Sequence, residues 1–471
     1  MTDTNATADD TAADTVEHTD LIIIGSGSGN SIPEYLSDKQ IVLIEKGTFG
    51  GTCLNVGCIP SKMFVLPADF AVAGHEAAKV NVDLTLNSAD FEAIRDRVFG
   101  LIDPITAGGE NYRATGTPNV DYIKGTARFV GPKTVRVNGR TISADNVMVA
   151  VGSRPNAPQI PGLDSVRYHT SDTIMRLEKL PARLGILGGG FIAVEMGHVF
   201  SGLGSHVTMF NRSDRLLGVQ DAEISDRFTK QFQRRATMRL GCIPDRIEQD
   251  GDTIVVHCGA ETFEFDELLV ATGRISNADL VDAERGGLTL DGNRRITVDE
   301  HMETVVPGVY AIGDVANNYQ LKHVANAEAK VAFWNIAHPD QRRTIDYRAV
   351  PAAVFSHPQV ASVGLTEEDA IAENVPYVVG KRDYGGTAYG WALNDSESFA
   401  KVLVNPLTGL ILGCHIIGPQ AATLIQPVIQ AMQFSQTAQA VAEQVFYIHP
   451  ALTEVVENAL LAAVEAIREY E

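Results

Sequence analysis

Two stretches of this chain limit what it can fold into: "LIIIGSGSGNSI" at residues 21–32 and "LGILGGGFIAVEMG" at residues 184–197. In each, a short apolar run leads straight into closely spaced glycines. That is the pattern of a strand buried on both faces and turning sharply into the next element. Two such units in 471 residues make the fold class α/β, and the length allows two to four domains.

The two units are not equivalent. In the first, Gly25, Gly27 and Gly29 follow the strand, and a second strand, "IVLIEKG", ends at Glu45, twenty residues beyond Gly25. The spacing suits a Rossmann-like nucleotide-binding domain. Glycines let the backbone approach a pyrophosphate, and the acid takes a ribose hydroxyl pair. Asn30 stands where a third glycine is usual, and only Ser31 to Gln40 precede the next strand, so the helix there must be short or irregular, with Pro33 near its start. In the second unit Gly188, Gly190 and Ala193 form GxGxxA, and the following strand ends in Asn211 and Arg212, with Arg215 close behind. An acid at that strand end would repel a 2′-phosphate, whereas a guanidinium pairs with it, so NADP is expected over NAD. The competing reading makes the arginines ordinary solvated surface.

Composition excludes several function classes. With 59 acidic against 38 basic residues the net charge is −21, which argues against a nucleic-acid partner. Aspartate (32) exceeds glutamate (27) and only 12 basic residues are lysine, a balance resembling proteins of salt-loving cells rather than thermophiles. Residues 1–18 read as an acidic disordered tail, with neither the apolar core nor the basic flank of a targeting peptide. Apolar runs such as "LIIIG" and "VMVAVG" are strand-sized, so no segment is expected to span a bilayer. Five scattered cysteines do not form a secreted disulfide framework, and a cytoplasmic setting is expected. Cys242, Cys258 and Cys414 lie alone in apolar strand contexts and read as packing residues.

Cys53 and Cys58 in "GTCLNVGCIP" are different, and could be a structural staple, half of a metal site or a redox pair. No second Cys or His cluster at ligand spacing supports the metal reading. Downstream, "GVYAIGDVANN" places Gly313 and Asp314 after a buried strand. From about Val350, "VPAAVFSHPQVASVG" and "KVLVNPLTGLILGCHIIG" read as antiparallel strands, followed by helical segments that end the chain in an α+β domain.

The motifs "GGTCLNVGCIPSK", the two glycine turns, "ATGR", "AIGD" and "HPALTEVVE" together resemble the FAD-dependent pyridine-nucleotide disulfide oxidoreductases, class I and glutathione reductase-like, from Asp20 to about Ala463. The resemblance implies an FAD-binding domain at 19–155, an NADP-binding domain at 156–272, a central continuation of the FAD domain at 273–347 and an interface domain at 348–471. It implies FAD held by Gly25, Gly27, Asn30, Glu45, Gly51, Thr52, Lys62, Gly313 and Asp314. NADPH falls to Gly188, Gly190, Phe191, Ala193, Arg212, Arg215 and Gly273, with Phe191 where related enzymes carry a gating tyrosine. By the same likeness Cys53 attacks a substrate disulfide and Cys58 lies against the flavin. Lys62 pairs with Glu195, and His449, oriented by Glu454, serves the cysteines of the other subunit of a homodimer across a cis His449–Pro450 bond. His169 and His357 read as turn and packing residues, and Lys330 as either a substrate contact or a solvated helix residue.

Within the family, "GSGSGNSI", "YHTSDTIMRL", "LKHVANAEA" and "YGGTAYGWAL" resemble mycothione reductases. The acidic, lysine-poor composition shifts the expected substrate to bis-γ-glutamylcystine, with mycothione as the alternative. Lipoamide dehydrogenase and a mercuric reductase-like protein remain further alternatives. The NAD preference of the former conflicts with Asn211 and Arg212, and the latter needs a C-terminal cysteine pair where this chain ends "AIREYE".

Overall fold

A computed structural model describes residues 16–470, and residues 1–15 of the expected acidic tail lie outside them. Residues 16–18 of that tail instead begin the first strand, Val16–Ile24. The chain divides into two compact units. The first takes the residues up to Gly51 with Thr106–Arg154 and Ile275–Ile345; the second takes Thr52–Ile105, Pro155–Arg274 and Asp346–Glu471.

In the first unit, Val16–Ile24 is flanked on both sides by parallel strands. Leu21 stands opposite Ile41 of Ile41–Glu45, and Ile24 opposite Val149 of Arg140–Val149. Val120–Lys124 extends one edge, and Val309–Ala311 pairs with Arg140–Val149. Leu21, Ile22, Ile23 and Ile24 are all at most 4% exposed, which is why the run is continuously apolar rather than alternating. After the glycine turn there is no long helix: 3-10 turns at Ser28–Asn30 and Glu34–Leu36 make the crossover, with Pro33 at the N-cap of the second. The ten-residue gap leaves no room for more.

In the second unit a four-stranded parallel sheet runs in the order Thr237–Leu240, His206–Asn211, Arg183–Leu187, Glu267–Val270. The helix Phe191–Leu203 follows its glycine turn and packs on the helix Cys58–Lys79. The approach is close because the facing residues are small: a Cβ on Gly202 would meet the Ala68 methyl at 3.2 Å and its carbonyl oxygen at 3.3 Å. Phe64, Phe91 and Phe200 join in sequence at centroid distances of 5.8 Å, and Phe228 stacks on Phe232 at 5.4 Å. By length and composition alone the stretch Gly51–Lys79 meets the criterion for a membrane span, against the reading from strand-sized runs. Its buried Phe64, Val65, Ala68 and Val72 pack as a core helix of this unit.

Beside that sheet lies an antiparallel one, Arg246–Asp250, Thr253–Cys258, Glu261–Phe265. Here the sequence reading is corrected: Cys242 and Cys258 are not separate packing residues but are joined as a disulfide, with their Cα atoms 6.5 Å apart. Apolar context around each thiol concealed that the hairpin returns one to the other. Cys414 is fully buried, as expected of a packing residue.

The C-terminal part is α+β. A five-stranded sheet runs Pro351–Val354, Val360–Gly364, Ile411–Ile417, Phe399–Val404, Val378–Asp383. The helix Thr453–Tyr470 lies on its last strand, where a Cβ on Gly380 would strike the carbonyl oxygen of Ala459. Among the buried core positions, Phe200 joins two helices and the sheet in one cluster. Phe200→Ala should cost about 3–5 kcal/mol, read as a lower urea midpoint with an unchanged slope against urea.

Candidate active site

Cys53 lies in the short helix Gly51–Asn55, and Cys58 opens the helix Cys58–Lys79. Between them the chain folds tightly, since a Cβ on Gly57 would stand 2.9 Å from the carbonyl oxygen of Thr52 and 3.2 Å from the Cα of Cys53. Cys53 is half-buried and Cys58 exposed. A hydrogen bond with the Cys53 thiol draws the pKa of Cys58 down to about 6. Burial opposes this, Lys62 and the backbone at the helix start reinforce it, and Glu195 works against it. Cys58 is therefore a thiolate at neutral pH, the form required of a nucleophile.

Lys62 follows one helical turn later. Its Nζ stands 2.8 Å from both carboxylate oxygens of Glu195, on the helix Phe191–Leu203. The Glu195 side chain is 5% exposed against 34% for Lys62, so the carboxylate is the desolvated partner. It also accepts the backbone N–H of Phe355 at 3.0 Å, and the Phe355 ring lies 4.8 Å beneath the lysine. The buried charge is thus paired and hydrogen-bonded.

His449 precedes a cis bond to Pro450, as the sequence implied. Its Nδ1 is 2.6 Å from Oε1 of Glu454, at the start of the C-terminal helix. The His449 side chain is 72% exposed, whereas Glu454 is 15% exposed and its Oε2 is buried without a hydrogen-bond partner among the described residues. The carboxylate therefore holds the ring from behind and leaves the far nitrogen facing outward.

In the first unit the glycine turn closes on its own strands. Gly25 has φ of 106°, and a Cβ there would sit 2.4 Å from the carbonyl oxygen of Ala150. A Cβ on Gly51 would come within 2.8 Å of the Cα of Gly27. Glu45 Oε2 accepts the N–H and hydroxyl of Ser26 at 2.8 and 2.7 Å, and Oε1 accepts the N–H of Gly47 at 2.7 Å. Asn30 is held by Arg113, whose Nε donates to Oδ1 at 2.7 Å. Asp314, following Gly313 after the strand Val309–Ala311, accepts the Ser153 hydroxyl at 2.6 Å. Thr52 and Lys62 belong to the second unit.

In the second unit Gly188 has φ of 125°, and a Cβ there would meet the carbonyl oxygen of Ala271 at 2.3 Å. Gly190 caps the helix Phe191–Leu203, with Phe191 exposed at its start and Ala193 buried. Asn211 ends its strand, and its side-chain amide donates to the carbonyls of Ser213 and Arg215 at 3.3 and 2.9 Å. Arg212 is exposed, while Arg215 lies 3.6 Å from Asp226. Gly273 has φ of 128°.

Residues 19–329 match the model of the pyridine nucleotide-disulphide oxidoreductases, and residues 350–460 match the dimerisation domain of that family. The chain belongs to this family. It is 45% identical over 462 residues to a mycothione reductase of Mycobacterium tuberculosis, covering 95% of this chain and 99% of that one. It is 33% identical to a dihydrolipoyl dehydrogenase of Chlamydia pneumoniae, covering 94% and 96%. The solved HOCl-induced flavoprotein disulfide reductase RclA from Escherichia coli superposes with a TM-score of 0.83 at 25% identity, over 94% of this chain and 99% of that one. This pyridine nucleotide-disulphide oxidoreductase is accordingly an enzyme of the FAD and NAD(P)H class and carries the family's dimerisation domain.

Sequence reading missed Phe355, which serves Glu195 from about 160 positions away through its backbone, a role no side-chain motif records. It also passed over Ser26, although that residue lies between two of the quoted glycines. His169 meets Thr173 and Glu267, and His357 meets Glu76, while Lys330 is exposed on its helix. In the reduced oxidoreductase, alkylation of Cys58 followed by peptide mass spectrometry should show a rate midpoint near pH 6, against roughly 8.5 for an ordinary thiol. Cys53→Ala should raise that midpoint more than Lys62→Met does, since the thiol hydrogen bond is the larger cause. Equal midpoints in all three proteins would contradict this electrostatic account.

Proposed function

We propose that this enzyme uses NADPH to reduce the disulfide of a low-molecular-weight thiol through Cys53 and Cys58. The observation that carries the reading is the thiol contact between the two cysteines, which stabilises a thiolate at the head of a helix. The first unit's turn fits FAD. Gly25 and Gly51 leave no room for a Cβ against Ala150 and Gly27, so the turn closes into the tight bare backbone that a diphosphate would approach, and Glu45 stands at the strand end suited to a ribose diol. Gly25, Gly27, Asn30, Glu45, Gly51, Gly313 and Asp314 would hold it. When bound, FAD supplies the two-electron connection between the nicotinamide and the cysteine pair.

The protein's own residues do the rest. The partner subunit's His449 takes the proton of the Cys53 thiol, which otherwise rests in a hydrogen bond with the Cys58 thiolate, and Cys53 attacks one sulfur of the substrate disulfide, forming a mixed disulfide and expelling one thiolate. The partner subunit's His449 gives that thiolate its proton, while Glu454 holds the ring. Cys58 then attacks the Cys53 sulfur, expels the second thiolate, which takes a proton from solvent, and leaves the Cys53–Cys58 disulfide to be reduced again. Lys62, held by Glu195, keeps positive charge beside the pair. Gly188, Gly190, Phe191, Ala193 and Gly273 would frame the nicotinamide cofactor, and Arg212 and Arg215 would supply the charge for its 2′-phosphate.

Net charge of −21 with few lysines supports a salt-adapted enzyme acting on bis-γ-glutamylcystine. The 45% identity to a mycothione reductase favours mycothione as the second reading. A rate comparison with bis-γ-glutamylcystine, mycothione, glutathione disulfide and lipoamide, in dilute buffer and at about molar salt, where screening extends only a few ångströms, decides between them. Activity on bis-γ-glutamylcystine that falls steeply in dilute buffer is the expected result; preference for mycothione with full activity in dilute buffer selects the second reading. NADPH should outperform NADH, and Arg212→Glu should invert the order, a charged contact being worth about 1.5–3 kcal/mol. Equal use of both cofactors by the unaltered enzyme would refute the 2′-phosphate reading.

The shared site has its own test. Cys53→Ser and His449→Ala are each expected to abolish or strongly slow turnover. Mixed under conditions of subunit exchange, they should regain activity, because heterodimers restore one intact site. Confirmed exchange without recovery would refute sharing between subunits.

A further inference from the structure

The Cys242–Cys258 disulfide takes no part in the reaction above, yet it is attached to the strand end proposed to bind the cofactor phosphate. The N–H of Cys242 donates to the carbonyl of Asn211 at 3.0 Å, and the N–H of Gly241 to that of Ser213 at 3.1 Å. Asn211 in turn holds the carbonyls of Ser213 and Arg215. One side of the loop 211–215 is therefore fixed by the backbone next to Cys242. Cys258 lies on the neighbouring hairpin, opposite Glu261. Glu261 pairs with Arg239 at 2.9 Å, Arg239 lies 4.8 Å over Phe263, and Phe263 packs edge-on to Phe210, which precedes Asn211. Closed, the disulfide ties hairpin to loop covalently. Open, noncovalent contacts remain: these, and the N–H of Asp245 to the carbonyl of His257 at 2.8 Å and of Gly259 to the Asp245 carboxylate at 2.6 Å.

We propose that Cys242 and Cys258 form a second redox site, opened by small thiols and closed by small disulfides, which sets the enzyme's affinity for its nicotinamide cofactor. The inference rests on the reading that places the cofactor's phosphate at residues 211–215. Both cysteines are half-buried, and the adjoining Ile243 and Gly259 are exposed, so a small thiol reaches the bond. A thiolate attacks one sulfur, breaking the Cys242–Cys258 bond and forming a mixed disulfide with one protein thiolate released. A second thiolate attacks the external sulfur, releasing the small disulfide and the other protein thiolate. Two external thiols are oxidised, the protein disulfide takes two electrons, and the protons pass to the cysteines. Thiol and disulfide are the product and substrate classes of the proposed reaction, so the site reads their ratio. Accumulated thiol opens it and weakens cofactor binding; accumulated disulfide closes it and restores binding.

The test uses the FAD-loaded enzyme in a Cys53→Ser/Cys58→Ser background, so that the first pair cannot contribute. The protein is equilibrated with cysteine and cystine at set ratios. Alkylation with peptide mass spectrometry reads the state of Cys242 and Cys258, and calorimetry reads the Kd of NADP⁺. The pair should interconvert across these ratios, and Kd should weaken about fivefold in the dithiol form, the lower end of ordinary coupling between sites. Adding Cys242→Ser/Cys258→Ser should fix Kd at the weak value whatever the ratio. With the first pair intact, that double variant should keep its kcat at saturating NADPH. A pair that stays closed at every ratio, or opens without moving Kd, overturns the proposal. NAD⁺ binding as tightly as NADP⁺, with both shifting together, would remove the 2′-phosphate reading and leave the switch standing.

Discussion

The arrangement around the reactive cysteines depends on one ion pair, Lys62 with Glu195. The lysine lies a helical turn beyond Cys58, and the carboxylate is carried by the helix that follows the second glycine turn. Glu195 is almost wholly buried, and without Lys62 its charge would be desolvated and would also raise the pKa of Cys58. Removing one member of a fully buried pair typically costs about 3–5 kcal/mol, and less where one partner keeps water, as the one-third-exposed lysine does here. The pair therefore does two things with one contact. It fixes the register of two helices that Ala68 and Gly202 allow to approach, and it sets the lysine so that its lowering of the Cys58 pKa outweighs the carboxylate's raising of it.

Much of this was legible in the sequence because the chemistry is local there. Cys58 and Lys62 share a helix face by spacing, His449 and Glu454 are five residues apart, and the glycines adjoin the strands they terminate. Even the shortness of the first crossover followed from the ten residues available for it. The pairing of Lys62 with the distant Glu195 came from the family resemblance; what the sequence concealed were the distant contacts that no family motif carries. Phe355 supports Glu195 with a backbone N–H, which carries no residue signature. Cys242 and Cys258 read as isolated because each sits among apolar neighbours, and only the return of a hairpin brings them together. Arg113 compensates for Asn30 in the first glycine turn from a helix more than eighty residues away.

The two glycine turns show how one backbone solution is followed by two different strand ends. Gly25 and Gly188 have the same left-handed conformation, and in each a side chain would collide with a carbonyl oxygen of the neighbouring segment. The turns diverge only at the end of the following strand. There Glu45 ties its carboxylate to Ser26 and Gly47, whereas Asn211 turns its amide inward to hold the carbonyls of Ser213 and Arg215. An amide in that position carries no charge to repel a phosphate, and it shapes the loop from which Arg212 projects. Glycine geometry thus supplies the close backbone packing common to both turns, and the charge of one strand-terminal residue, Glu45 or Asn211, separates them. Because that residue in the second unit also accepts the backbone N–H of Cys242, the loop 211–215 and the Cys242–Cys258 disulfide are mechanically one element.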